Sequence, residues 1–473
     1  VTPPPDSDHA CDWKDYALYL EQRVKDLEAR EQDAKEAARK RHQPGNKGEA
    51  RKPKPEKKPR EPQPGHGPTP QPSLPVVEDP VQKMDEADLA CGQCGGRLEE
   101  WPGQFEESEE IDVIVKQHVR RKKRRQKYKC CNCEHIESPL VLPRVVPGGR
   151  YSNEFALQVV VEKFLDHTPL ERQVRIAARS GLVITSQVLW DLEWAVYRLL
   201  YPSQERLKKY LLGQPVLGGD ETRWPVLGKE SKNWTMWCVC APMAVLYEIL
   251  EGRGADQCAQ LILTQFQGVL VVDGYVVYEW LHKEYPAIEL AHCWAHVRRH
   301  VQDLEKTNPD EAKRFLDLID KLFEIERRAT SRDHLARLRR DESANTTEEV
   351  RALITSTPAL PESGLRKAME YMANRWTGLT LFLGNPDIPL SNNSTERAQR
   401  GPVIGRKTFY GSHSRRGTEA AALLYSLIES AKLFGINPEA YLRFALQAAL
   451  NKEEIPLPHE VKDRAELQLP ARQ

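Results

Sequence analysis

The chain has 473 residues, 69 Lys and Arg against 69 Asp and Glu, and a hydrophobic fraction of 40%. That length exceeds one ordinary core and implies several globular units with linkers, while a net charge of zero hides strongly basic segments, so the global balance says little about partners. No stretch reaches the roughly 20 apolar residues of a membrane-spanning helix, the N-terminus is polar and proline-rich rather than a signal peptide, and the cysteine usage does not suggest a disulfide scaffold; a soluble cytoplasmic protein with reduced thiols and no membrane contact is expected.

In chain order, residues 1–41 read as a helix, because Trp13, Leu20, Leu27 and Ala34 fall seven apart. Glu31 interrupts the seam, which leaves either a short self-association coil or a lone amphipathic helix. Residues 42–85 form a Pro/Lys-rich linker that cannot bury enough apolar surface to fold; its charge is either merely solvated or trails along DNA. Residues 86–146 carry two Cys-x-x-Cys pairs, Cys91 with Cys94 and Cys130 with Cys133, on either side of a strand-rich stretch. Four thiolates on two tight turns close a tetrahedron with no open position, so this is a zinc-ribbon pattern with structural Zn²⁺ and Cys131 as the spare thiol. The run Arg120, Arg121, Lys122, Lys123, Arg124 and Arg125 is dense enough in like charge to call for an anionic partner, the alternative being a solvated hairpin face.

Residues 147–210 read as helical, with helices over 153–165, 169–179 and 185–200 and a Ser180-Gly181 turn, the outline of a helix-turn-helix DNA-binding unit. From residue 211 the pattern changes to strands, over 216–220, 234–240 and 245–250, then a helix over 255–264, a strand over 268–273 and a fifth over 287–293. Three strands, a helix and a fourth strand ending in an acid is the order of a ribonuclease-H-like α/β core, here covering 211–410 with a helical insertion at about 300–385. Residues 411–473 complete the chain as a helical domain with helices over 418–434 and 438–450. The fold class expected is therefore multidomain α+β.

Within the strand region three acids stand out: Asp220 in Gly-Gly-Asp-Glu-Thr, Asp273 at the end of Val-Leu-Val-Val-Asp, and Glu396 in Asn-Asn-Ser-Thr-Glu-Arg. If they converge, they can hold two divalent cations, Mg²⁺ or Mn²⁺, and move phosphodiester bonds. Each has a plainer reading: Asp273-Gly274 as a turn, Glu396 as the capping-box partner of Asn393, and Glu221 as the ligand in place of Asp220. Cys293 and His296 follow the fifth strand, with His296 either meeting the scissile phosphate, bracing the acids or packing in the core. Arg298 and Arg299 beside them, and Asn392, Asn393, Arg397, Arg400, Arg406 and Lys407 around Glu396, suit a DNA backbone or a solvated basic face.

The ordered set of these motifs resembles the IS66-type bacterial transposases: the two Cys-x-x-Cys pairs, Asp166-His-Thr-Pro-Leu-Glu-Arg172, Asp220-Glu-Thr, Asp273-Gly-Tyr, Cys293-Trp-Ala-His-Val-Arg-Arg299, Asn392-Asn-Ser-Thr-Glu-Arg397 and Gly405-Arg-Lys407. The resemblance implies a DDE-type recombinase, with Asp220, Asp273 and Glu396 as its triad. Such an enzyme binds the terminal inverted repeats of its insertion element in double-stranded DNA, frees 3′ hydroxyls and joins them to target DNA. It further implies a nucleoid-associated homo-oligomer on DNA and small companion proteins encoded by the same element. Two rivals share these residues: a DNA-binding regulator whose chemistry is lost, and a nuclease that hydrolyses without strand transfer.

Overall fold

The computed structural model describes Gln93 and residues 118–122, 124–129, 136–137, 142–228 and 233–461. The chain divides into two units, 1–98 and 99–473, and everything that follows belongs to the second. The N-terminal helix, the linker and the cysteines Cys91, Cys94, Cys130, Cys131 and Cys133 lie outside the described residues, as does Lys123. The hairpin strands β1 (Tyr128–Lys129) and β2 (Ile136–Glu137) pair antiparallel on either side of the second cysteine pair.

Four helices follow: α1 (Asn153–Phe164), α2 (Leu170–Arg179), α3 (Ser186–Leu200) and α4 (Ser203–Leu212). Ser152 and Thr185 cap α1 and α3, each accepting a backbone N–H three residues on. Gly181, at φ +79°, supplies the left-handed residue that turns α2 into α3. Between α1 and α3 the Lys163 ammonium donates to both oxygens of the fully buried Glu193, at 2.9 and 2.8 Å. Burial pushes the Glu193 carboxyl up and Lys163 opposes that shift.

The centre of the unit is a five-stranded mixed sheet of order β5-β4-β3-β6-β7, built from β3 (Val216–Trp224), β4 (Trp234–Ala241), β5 (Ala244–Glu251), β6 (Gly268–Val272) and β7 (Ile288–His292). β3, β4 and β5 form an antiparallel meander; β6 runs parallel to β3, and β7 parallel to β6. All eight residues of β4 are buried. A strand covered on both faces needs apolar or small residues throughout, which is why Trp-Thr-Met-Trp-Cys-Val-Cys reads as a continuous run and not as an alternation. The helix expected over 255–264 is two pieces, α5 (Ala255–Cys258) and a 3₁₀ turn at Ile262–Gln265. Leu261 breaks the path between them at φ −75°, ψ 158°, and packs into the core with Ile262, Leu263 and Phe266.

One face of the sheet, with Leu217, Trp237, Val239, Leu246, Leu270 and Val272, packs under α4, α5 and α6 (Val276–Glu284). The opposite face carries two cores. Over β4 and β5 lies α15 (Arg415–Phe434), joined by α1, α3 and α16 (Pro438–Leu450). Over β6 and β7 lie α7 (Trp294–Gln302), α8 (Pro309–Arg328), α10 (Ala344–Ser356), α11 (Gly364–Asn374) and α12 (Trp376–Thr380), with α9 (Arg332–Leu338) packed on α8. The stretch assigned to a separate C-terminal helical domain thus shares its core with the sheet and with the 147–210 helices. Ser430 and Ser426 of α15 also accept the N–H groups of Val245 and Tyr247, at 2.9 and 2.8 Å, on the edge strand β5.

Candidate active site

The parallel register pairs Val216 with Val269, Leu217 with Leu270 and Gly218 with Val271. Carried two residues on, it sets Asp220 beside Asp273 on strands whose spacing is about 4.8 Å. Side chains alternate along a strand, so both acids face the side that also holds Gly218 and Val271. α13 (Asn393–Ala398) packs over β3 and β4 on that side and brings Glu396.

The seat of α13 explains the glycine before the first acid. A Cβ on Gly218 would collide with Thr395 Oγ1 and come within 2.8 Å of Asn392 Oδ1. Asn392, buried at the N-terminus of α13, donates through Nδ2 to Gly219 O at 2.8 Å, and its N–H meets Cys293 Sγ at 3.1 Å. Asn392, and not Asn393, is therefore the N-cap residue, and its side chain spans to β3 in place of capping its own helix; Asn393 is exposed, and the capping-box reading of Glu396 falls away. Cys293 is wholly buried, its own N–H donating to Val272 O at 3.1 Å, so it ties β6, β7 and α13 together.

Adjacent carboxylates on β3 meet opposite environments. Glu221 faces the other side of the sheet, where Arg253 donates to Oε1 at 2.5 Å and the Tyr278 hydroxyl to Oε2 at 2.8 Å. The Asp220 carboxylate accepts the Glu221 N–H, at 2.9 Å. Burial first, then the charges of Glu221, Asp273 and Glu396, push its carboxyl up to about 7, against that one backbone hydrogen bond. Asp273 is half-buried, and its Oδ1 accepts the Tyr275 N–H at 2.8 Å.

Glu396 points toward basic side chains: its Oε1 is 3.5 Å from His296 Nε2 and 3.9 Å from Arg299. Among the described residues, no three His, Cys, Asp or Glu side chains form a ready-made metal cage. Asp220, Asp273 and Glu396 are thus brought onto one face without forming a closed ligand set among the described residues.

Two of the basic residues expected to meet DNA have partners within the chain. Arg298 forms a two-pronged pair with Asp320 of α8, at 2.7 and 3.2 Å. Arg406, on α14 (Arg400–Phe409), donates to Thr222 Oγ1 at 3.0 Å and to Arg223 O, bracing the end of β3. Arg299, Arg397, Arg400 and Lys407 are exposed, as are Arg120, Arg121, Lys122, Arg124 and Arg125.

Three residues around the second acid went unmarked by the sequence. The Tyr371 hydroxyl of α11 donates to Asp273 O, and Arg375 donates to Gly274 O at 3.0 Å and to Glu279 at 2.7 Å. Gly274 sits at φ +104°, with Arg375 Nε and Tyr371 Oη only 2.5 and 2.8 Å from where a Cβ would be. His292, buried at the end of β7, is pushed down to about 4 by burial and by Arg375. Partners 98 residues apart in the chain leave no local signal; the Gly-Gly before Asp220 did carry one, since glycine inside a strand marks a close approach.

A family model described as "Transposase IS66 family" matches residues 148–420. The chain is also similar to three uncharacterized proteins of Sinorhizobium fredii. It is 33% identical to y4jD over 383 residues, covering 76% of this chain and 74% of that one. Against y4hP it is 26% identical over 389 residues, covering 76% and 70%. Against y4qI it is 28% identical over 414 residues, covering 80% and 74%. Among the described residues no helix is long and apolar enough to cross a membrane.

Proposed function

The chain belongs to the IS66 family of transposases, and we propose that it binds the ends of its insertion element, cleaves them and transfers 3′-hydroxyl strands into target DNA. The site is Asp220, Asp273 and Glu396 on a ribonuclease-H-like core. The observation that carries this reading is the register of β3 and β6, which sets the two aspartates side by side on the face covered by the glutamate's helix. The strand order and directions support the core assignment: an antiparallel meander, then two strands parallel to the first, with the first at the centre.

The residues fit a divalent cation in kind. They are oxygen ligands, and Asp220 has its proton held up to about 7 by burial and by three neighbouring carboxylates, a strain that positive charge relieves. Mg²⁺ or Mn²⁺ held by Asp220, Asp273 and Glu396 would activate the attacking oxygen and neutralise charge on the leaving one. The chain's own groups do the positioning. Asn392 fixes the helix of Glu396 against Gly219, the Tyr275 N–H orients Asp273, and His296 and Arg299 hold Glu396 until a cation competes for it. Exposed Arg397, Arg400 and Lys407 lie on the same two helices, α13 and α14, and serve the phosphate backbone.

The proposal extends to a structural Zn²⁺ on Cys91, Cys94, Cys130 and Cys133. The 147–210 helices serve as the DNA-binding unit, and the protein works as a homo-oligomer on DNA with the element's companion proteins.

The test incubates the protein, with and without Mg²⁺, with labelled DNA carrying the gene's flanking ends and a plasmid target. Joined 3′ ends that vanish in Asp220→Asn are expected. Hydrolysed ends without joining would make the protein a nuclease, and binding without cleavage, even with the companion proteins added, would make it a regulator.

A further inference from the structure

Exposed cations near the start of the described residues are not confined to the basic run. α2 carries Arg172, Arg175 and Arg179, spaced three and four apart and all exposed, directly opposite the face that buries Gln173 and Ala177. Among the described residues no carboxylate pairs with any of the three, whereas Arg298, Arg332, Arg339 and Arg443 elsewhere in the molecule each have one. Glu171 is the helix's single acid. Three like charges on one face, unpaired, repel one another unless an anion lies across them.

A second observation joins this stripe to the run at 120–125. His118 Nδ1 and Ser180 Oγ share a hydrogen bond of 2.7 Å, and Ser180 is the residue that ends α2, its hydroxyl also donating to Ala177 O at 2.9 Å. The His118 ring sits edge-on to Phe155 of α1, with centroids 5.8 Å apart. His118 therefore pins the start of the basic run to the C-terminal end of the arginine helix, one residue from Arg179. Cations gathered at a helix C-terminus are also favoured by its dipole.

We propose that Arg172, Arg175 and Arg179 of α2 and the described cations Arg120, Arg121, Lys122, Arg124 and Arg125, joined by the His118–Ser180 contact, form one continuous surface for the phosphate backbone of duplex DNA. This rests on the reading of the chain as a DNA-binding transposase. It reassigns the contact made by the 147–210 helices to the exposed face of α2, with Arg298 and Arg406 excluded because the fold already uses them. Duplex DNA is favoured over a small anion because the charges are spread along a helix and a neighbouring non-helical segment and are not gathered into a single pocket.

The experiment measures full-length protein binding to a duplex carrying the gene's flanking end, as a function of NaCl concentration. Each phosphate contact contributes about 0.9 to the slope of log affinity against log salt. The triple variant Arg172→Gln, Arg175→Gln, Arg179→Gln should lower the slope by about 2 to 3, and the corresponding Lys triple should restore it. His118→Ala should weaken binding at constant salt while the melting temperature stays within a few degrees of wild type. If wild type binds and the Gln triple, shown folded by circular dichroism, keeps the wild-type slope, α2 is a solvated face and the inference fails alone. If wild type itself does not bind the duplex, the transposase reading fails first. Expected losses that leave Asp220→Asn binding like wild type would set this surface apart from the catalytic acids.

Discussion

Asp220 and Glu221 are neighbours on one strand, and their two sides of the sheet solve the problem of a buried acid in opposite ways. On the Glu221 side the carboxylate is enclosed, with an arginine and a tyrosine hydroxyl on its two oxygens; it is a structural ion. On the Asp220 side the fold leaves the acid beside Asp273 and Glu396 with no cation of its own, and its proton is held up to about 7. A protein can bury a carboxylate cheaply when it supplies the counter-charge. Where it does not, the missing charge points to a ligand.

Four substitutions sharpen or break this contrast. The largest effect belongs to Asp220→Asn. The folded carboxyl holds its proton more tightly than the unfolded one, so the fold is favoured at low pH and penalised once Asp220 ionises above about 7. Neutralising it should raise apo stability at pH 8 by up to about 4 kcal/mol, a gain that shrinks as the pH falls through 7 and vanishes below the ordinary carboxylate range. Melting curves across pH, without divalent metal, check both size and sign.

Glu221→Ala should do the reverse, costing about 3 kcal/mol because the buried Tyr278 hydroxyl loses its acceptor and the core gains a cavity. Urea unfolding reads it, and a loss equal to that of an exposed glutamate would erase the distinction between the two sides. Gly218→Ala should cost about 2 kcal/mol by pushing Thr395 and Asn392 off β3, with cleavage falling further than stability because Glu396 moves with its helix. The smallest expected change is Tyr371→Phe, about 1 kcal/mol for one hydrogen bond to Asp273 O. Its diagnostic is an increased metal requirement for cleavage, which a purely structural tyrosine would leave alone.

The sequence was informative where local pattern and tertiary burial agree. β4 and β6 were legible because a strand covered on both faces requires an uninterrupted apolar run, whereas β3, expected over 216–220, continues to Trp224 through the polar Asp220-Glu221-Thr222-Arg223; the helices at 153–165 and 185–200 were legible because Ser152 and Thr185 start them where the periodicity does. It was less informative where one residue's fate depends on a distant one. Leu261 splits an expected helix because the core takes its side chain. Arg298 and Arg406 look like free cations until Asp320 and the end of β3 claim them. Which of Asp220 and Glu221 lacks an arginine and a hydroxyl on its oxygens turned on Arg253 and Tyr278, which no spacing announces. Tyr371 and Arg375 reach the second acid from the far end of the helical stretch that follows β7, so that stretch shapes the Asp273-Gly274 turn as well as separating it from Glu396.

The most direct test of the account is Mn²⁺ binding at pH 7.5, followed by electron paramagnetic resonance with the flanking-end duplex present, for wild type, Asp220→Asn, Asp273→Asn, Glu396→Gln and Glu221→Gln. The account predicts bound Mn²⁺ in wild type and in Glu221→Gln, and its loss in each of the other three. Wild-type binding in all four variants, or loss in Glu221→Gln alone, would contradict it.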